Sequence, residues 1–187
     1  MRAVTRAAEG FDRRAFTVSE VLRMQEAGII SDQERYELIE GEIVLMKAKG
    51  PLHETLKSAI SIQMARALPE NLWMGFKTTV YLSGDTFVED DIVLYPREFN
   101  MGGLKGADIL LVVEVASSSL PYDRGFQAAL YAKRKIQEYW VVDAHARTTY
   151  QFTDPHSNSW RRRVERGADE ALTHSALPGF SIRLSDY

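Results

Sequence analysis

The stretch Ile109–Asp143, ILLVVEVASSSLPYDRGFQAALYAKRKIQEYWVVD, decides the fold. It opens with an apolar run from Ile109 to Val115 that a single carboxylate, Glu114, interrupts. A polar loop follows, then an amphipathic helical pattern, then a second apolar run from Tyr139 to Val142 that ends at Asp143. Strand, helix and strand in so short a span are the parts of a crossover unit. A carboxylate inside a strand that reads as buried is costly unless something pairs with it, so Glu114 is the first functional clue.

Outward from that unit, the chain alternates between both periodicities. Thr17-Val18-Ser19-Glu20 has the form of a capping box, with Gly28 closing a short helix. Tyr36–Met46 reads as a hairpin turning at Glu40-Gly41. Leu52, Leu56, Ala59, Ile60, Gln63 and Ala67 recur at helical spacing up to Pro69, which places Lys57 and Arg66 towards solvent. A strand from about Gly75 to Leu82 turns at Ser83-Gly84-Asp85 into an antiparallel strand, Thr86–Tyr95. Beyond the crossover, Thr148–Thr153 and Trp160–Glu165 form a hairpin, with Asp154-Pro155 and Ser157-Asn158-Ser159 as its turn, and a last short strand follows Leu177-Pro178-Gly179-Phe180. The expected architecture is α/β (α+β): a mixed central sheet flanked by helices, with hairpins added at both ends. The reading expects residues 1–15 as a flexible arm and 16–187 as a single domain.

Composition narrows the function. The chain has 187 residues, no cysteine and a net charge of −3 from 23 basic and 26 acidic residues. Thiolate chemistry and disulfides are excluded. The four histidines are scattered, which argues against zinc. A general polyanion binder is usually more basic, so nucleic acid has to be argued locally. No apolar run has the length of a signal peptide core or a membrane span, which makes the cytoplasm the expected compartment.

Asp91, Val93 and Tyr95 share one strand face, and Val112, Glu114 and Ala116 share another. If these strands are neighbours, Asp91 and Glu114 point into one concavity, where like charges require a shared proton or a bound cation. Magnesium suits the second case because it needs only one or two carboxylates and keeps waters for a phosphate substrate. The alternative is that the two acids lie apart, each paired with an arginine or a backbone amide. Asp123 reads as a helix N-cap. Ser117, Ser118 and Ser119 lack a histidine in matching context for nucleophile chemistry.

Tyr36–Ile43 (YELIEGEI), His53, Asp91-Ile92-Val93, Val113–Ser117 (VEVAS), Tyr122–Gly125 (YDRG) and Glu138–Asp143 (EYWVVD), in this order, resemble the Uma-two family of endonucleases, within the PD-(D/E)XK, restriction-endonuclease-like superfamily. The resemblance runs from Phe16 to the LPGF segment. It implies a restriction-endonuclease-like fold and a nuclease site dependent on Mg2+ or Mn2+, acting on DNA, with a homodimer as the expected assembly. Asp91 and Glu114 fall on the family's two metal-binding acids, and Glu37 on an acidic position that joins the site. Two positions depart from the pattern. Asp90 stands where the superfamily has proline, and Gln127 stands where this family supplies its catalytic lysine. Gln127 orients a water or a phosphate but carries no charge. Arg124 and Arg134, on the same helix, are the candidate replacements. The competing expectation is a non-catalytic nucleic-acid-binding or assembly protein on a nuclease fold.

Overall fold

The computed structural model describes residues 14–31, 33–46, 48–100 and 103–187. Nearly all of the expected N-terminal arm therefore lies outside the described residues. The elements are α1 (Val18–Glu26), β1 (Tyr36–Ile39), β2 (Glu42–Leu45), α2 (Pro51–Arg66), β3 (Leu72–Ser83), β4 (Thr86–Pro96), β5 (Leu111–Ala116), α3 (Leu120–Tyr122), a π-helical turn (Asp123–Gln127), α4 (Ala128–Lys133), β6 (Glu138–Asp143), β7 (Thr148–His156) and β8 (Ser159–Arg166). They build one eight-stranded sheet in the order β2-β1-β4-β5-β6-β7-β8, with β3 also paired to β4.

The β5-to-β6 pair is parallel, with Glu114 opposite Val141. The Ile109–Asp143 stretch is thus the crossover unit that its periodicity implies, and the paired strands around it are antiparallel. Helix α1 starts at the capping box, where the Thr17 and Glu20 side chains satisfy each other's backbone amides. The first hairpin turns at Gly41, whose φ of 82° suits glycine, and a Cβ there would meet Ala15 Cβ at 2.5 Å.

Two apolar layers sandwich the sheet. On one face Val93, Val112, Tyr139 and Phe152 pack beneath Leu130 and Tyr131 of α4. On the other, Leu56, Ile60 and Met64 of α2 cover Ile92, Leu111, Val113 and Trp140, joined by the C-terminal residues Leu172–Leu184. A smaller cluster of Val21, Ile30, Leu38 and Phe87 seats α1 against the first hairpin. Each strand of the central unit is buried on both faces, which explains its nearly continuous hydrophobic run.

Strand β4 is the pivot. One of its edges pairs with β3 along most of its length. The other edge pairs first with β1, at Leu38 and Phe87, and then with β5, beginning at Ile92 and Val113. Between these contacts, Val88–Asp91 face a gap in the ladder. Backbone amides in such a gap need partners of another kind.

Four details differ from the sequence expectations. Lys57 is buried, its Nζ 2.6 Å from Glu54 Oε2, because the stem lies along the packed side of α2 while the ammonium reaches its glutamate. Asp123 is not an N-cap: the helical path begins at Leu120, and Asp123 is buried inside it, accepting a hydrogen bond from Ser119 Oγ at 2.6 Å. The C-terminal hairpin extends through Asp154-Pro155, and its pairing closes at His156 and Ser159. The expected last strand is a single bridge, Leu172 with Ile182.

Candidate active site

The gap in β4's edge is closed by carboxylates. Glu37 Oε1, from β1, accepts the Glu89 amide at 3.0 Å. Glu114 Oε1, from β5, accepts the Asp91 amide at 2.9 Å. Asp91 Oδ2 in turn accepts the Val115 amide at 3.0 Å, so β4 and β5 hold each other through side chains where their ladder stops. Bonds between a carboxylate and a backbone amide are charge-assisted and fix the carboxyl groups firmly.

Three further groups meet Asp91 and Glu114. His53, fully buried at the start of α2, places Nε2 2.8 Å from Asp91 Oδ2. Asp91 is the acceptor, which puts the proton on Nε2. His53 Nδ1 lies 3.3 Å from Glu54 Oε1 without making a hydrogen bond. Lys49, in the segment entering α2, places Nζ 3.7 Å from Asp91 Oδ2 and 3.8 Å from Glu114 Oε2. It is a mostly buried cation standing between the two acids.

Strand β4 presents both of its aspartates near the site. Val88 and Val93 lie in the same apolar layer although their positions differ in parity, so the strand changes face between them. Opposite the change, Lys77 of β3 has a φ of 45°, a left-handed conformation uncommon for lysine. Asp90 is consequently buried and accepts a hydrogen bond from the Tyr131 hydroxyl, to which Gln127 Nε2 donates at 2.6 Å. Gln127 therefore reaches the site wall as part of a buried chain, Gln127 to Tyr131 to Asp90.

The electrostatics follow from burial. Asp91 is held below the usual carboxylate range: burial alone would raise it, but the His53 bond, the Lys49 charge and the Val115 amide together outweigh that cost. Glu114 is pushed well above its ordinary value by burial and by the charge of Asp91. Burial also raises Glu37 and Asp123, and it takes Asp90 up to about 8. Lys49 is raised despite burial, because Glu114, Asp91, Asp123 and Glu37 all favour its charge. The site thus holds more acid than its lysine balances.

A cavity of about 430 Å³ opens onto these groups, lined by Glu37, Glu114, Lys49, Gln127 and Tyr122 among others. All four residues singled out as catalytic in the sequence thus come together: Asp91 with Glu114 through their strands, Glu37 and Gln127 on the cavity wall. Neither expected replacement cation is there. The Arg124 guanidinium lies 3.6 Å over the Tyr150 ring, and Arg134 contacts Thr86 and Asp85. Lys49 was missed because it precedes its helix in a segment without periodicity, and only folding brings it to the acids. Asp123 and the Asp90–Tyr131 pair were likewise not singled out for the site. Ser117 does meet a histidine, His145 Nε2 at 3.3 Å, but this pair sits at the rim and is exposed.

Among the described residues, no three His, Asp or Glu side chains converge at metal-binding distances. Nor is any helix of the described residues long and apolar enough to cross a membrane.

The chain's likeness to known proteins agrees with this architecture. No curated protein matches it significantly. A crystal structure described as a putative nuclease belonging to DUF820, from Anabaena variabilis, superposes with a TM-score of 0.69 at 15% identity, over 91% of this chain and 96% of that one. At that identity the superposition establishes the shared fold alone. The sequence model of the family Uma2, described as "Putative restriction endonuclease", matches residues 18–185. Spanning both apolar layers and every strand of the sheet, that match makes the chain a member of the Uma2 family.

Proposed function

We propose that the protein is a metal-dependent endonuclease that hydrolyses DNA phosphodiester bonds, with Lys49 supplying the positive charge that Gln127 cannot. The observation that carries the reading is the position of Lys49 Nζ, within 3.8 Å of both Asp91 and Glu114, with Lys49 and Glu114 lining one cavity. A lysine beside two fixed acids is what phosphodiester hydrolysis needs to neutralise charge that builds on the phosphate.

The donor set suits a divalent ion. Asp91 and Glu114, each fixed by a backbone amide, are the residues that would hold one. Two monodentate carboxylates with water completing the shell is the manner in which Mg2+ is commonly held, and Mn2+ takes the same donors. When bound, the ion would polarise a phosphoryl oxygen and acidify an attacking water. The chain's own groups do the rest. His53 fixes the Asp91 carboxylate through Nε2. Lys49 pairs with a non-bridging phosphate oxygen. Glu37, raised by burial, accepts a proton within the cavity. Gln127, anchored by Tyr131, orients a water or a phosphate oxygen.

The test is cleavage of plasmid and single-stranded DNA with Mg2+ or Mn2+. The wild type cuts, while Asp91→Asn does not and Lys49→Ala cuts far more slowly. Intact DNA under all conditions, with no metal-induced thermal shift, would sink the reading. Lys49 as a permanent counter-ion favours a second reading, a non-catalytic nucleic-acid-binding protein, whose DNA affinity would be indifferent to chelator. The expected homodimer belongs to the same proposal and is checked by sedimentation.

A further inference from the structure

The cavity's upper wall differs in character from its floor. Val44, Leu45, Met46, Pro121 and Tyr122 form an apolar lining above the acids. Tyr122, on this lining, stacks against Phe126 with ring centroids 5.5 Å apart and planes 24° apart. These residues are 37% and 49% exposed. Phosphate hydrolysis by itself needs no apolar chamber and no aromatic platform.

A second groove, about 420 Å³, meets this cavity at Met46, Ala48 and Lys49, and is lined further by Arg35 and Lys77. Both of these cations pair with rim glutamates, Arg35 with Glu89 and Lys77 with Glu54. Lys49 lines both spaces. One side of it is therefore apolar and aromatic over acidic acceptors, and the other carries three cations, Arg35, Lys49 and Lys77, against one acid, Glu54. That division matches the two halves of a nucleotide strand, bases on one side and phosphates on the other.

The volume restricts the strand further. About 430 Å³ lies in the lower part of the range of pockets that enclose one small molecule, roughly 300–1,000 Å³. A base inside a duplex is stacked and paired and cannot enter such a space without leaving the helix. Glu37 and Glu89, on the cavity lining, are acceptors suited to the exocyclic amino groups of an unpaired base.

Resting on the nuclease reading above, we propose that the substrate is DNA with an unpaired strand at the scissile position. One nucleobase enters the apolar cavity against Tyr122 and Phe126, while the adjoining phosphates follow the Arg35–Lys77 groove past Lys49. The enzyme then cuts single strands, flaps or frayed ends in preference to closed duplex.

The experiment uses the whole protein with EDTA and an oligonucleotide carrying one 2-aminopurine, as a single strand and as a blunt duplex. Fluorescence of the single strand is expected to change on binding, with at least tenfold weaker binding of the duplex. Tyr122→Ala and Phe126→Ala each weaken single-strand binding about tenfold, within the range for loss of one stacking partner, whereas Tyr122→Phe retains it. Both rings are partly exposed, so the substitutions leave the core intact. Equal binding of duplex in EDTA, equal cutting of duplex once Mg2+ replaces the EDTA, or unchanged affinity in both alanine variants, would overturn this inference while leaving the nuclease reading standing. Preference for a single-stranded RNA of the same sequence would overturn its DNA assignment. Failure to bind or cut any nucleic acid would remove both.

Discussion

Glu114 accepts the backbone amide of Asp91 at 2.9 Å, and Asp91 returns a bond to the amide of Val115 at 3.0 Å. Two acids of a prospective metal site are thus also the link that joins β4 to β5 where their ladder ends. The strand link uses one oxygen of each side chain, Glu114 Oε1 and Asp91 Oδ2, so substitution can test whether the proposed metal binding is separable from it.

Glu114→Gln keeps an oxygen to accept the Asp91 amide and replaces a carboxyl whose charged form burial and Asp91 both disfavour. The variant is expected to be more stable than wild type by about 1 kcal/mol, or roughly 2–4 °C in Tm for a chain of this size. It should at the same time lose the thermal shift produced by Mn2+. A thermal melt with and without the metal reads both effects, and a destabilised variant would refute the division of labour.

Lys49→Ala should lower cleavage by about 10²–10³-fold, the usual cost of removing a charge-stabilising group. Gln127→Lys alone should bring no gain, since it breaks the bond to Tyr131 and adds a cation where one already stands. In the double variant Lys49→Ala/Gln127→Lys, cleavage should recover at least tenfold over Lys49→Ala. Rates for the four proteins form a double-mutant cycle. An additive result would show that a lysine at position 127 cannot replace Lys49, and an unchanged rate in Lys49→Ala would place Lys49 outside the reaction.

His53→Ala removes a fully buried donor to an ionised carboxylate, and should cost about 2 kcal/mol of stability, within the range for a hydrogen bond to a charged group, together with the loss of cleavage. His53→Gln, which offers an amide N–H, should recover part of the stability. Urea denaturation of the three proteins measures the difference, and equal midpoints would show that Asp91 does not depend on His53.

His174 provides a pH-dependent element far from the acids. Its Nδ1 accepts the Ala176 amide at 3.2 Å, its Nε2 lies 3.5 Å from Glu138 Oε2, and its ring meets Trp140 edge-on. Burial lowers its pKa from 6.5 to about 4, and the nearby Glu138 does not offset that cost. The unfolded chain therefore takes up this proton first as pH falls. The stability concerned is fully present above about pH 6.5 and is lost on the way down to about 4, approaching 3 kcal/mol at the limit. His174→Asn keeps an acceptor for Ala176 but cannot protonate. Stability measured from pH 7 to 4 should fall less steeply in the variant, and parallel curves would contradict the assignment.

The strand–helix–strand unit around Glu114, the two hairpins and the capping box at Thr17 were legible because they rest on local rules: periodicity, turn residues and side chains bonding nearby amides. The proximity of Asp91 and Glu114 was legible only in part, because alternation along β4 breaks between Val88 and Val93 and the two acids meet through backbone amides at the end of the ladder. Asp123 was misread because an aspartate near a helix start ordinarily caps it, and only the earlier start at Leu120 draws this one inside. Lys57 was misread because a stripe of apolar residues does not reveal where a long amphipathic stem will lie.

The sequence by itself determined the elements, their order and the residue types able to do acid and metal chemistry. Tertiary structure alone decided that β4 would exchange β1 for β5 at Val88–Asp91. That exchange leaves backbone amides which only Glu37 and Glu114 can satisfy. It also decided that the cation beside the acids would be Lys49, not Arg124 or Arg134. The physical reason is distance along the chain: strand partners and ion pairs between residues far apart in sequence are chosen by how the layers pack, and no local pattern encodes that choice.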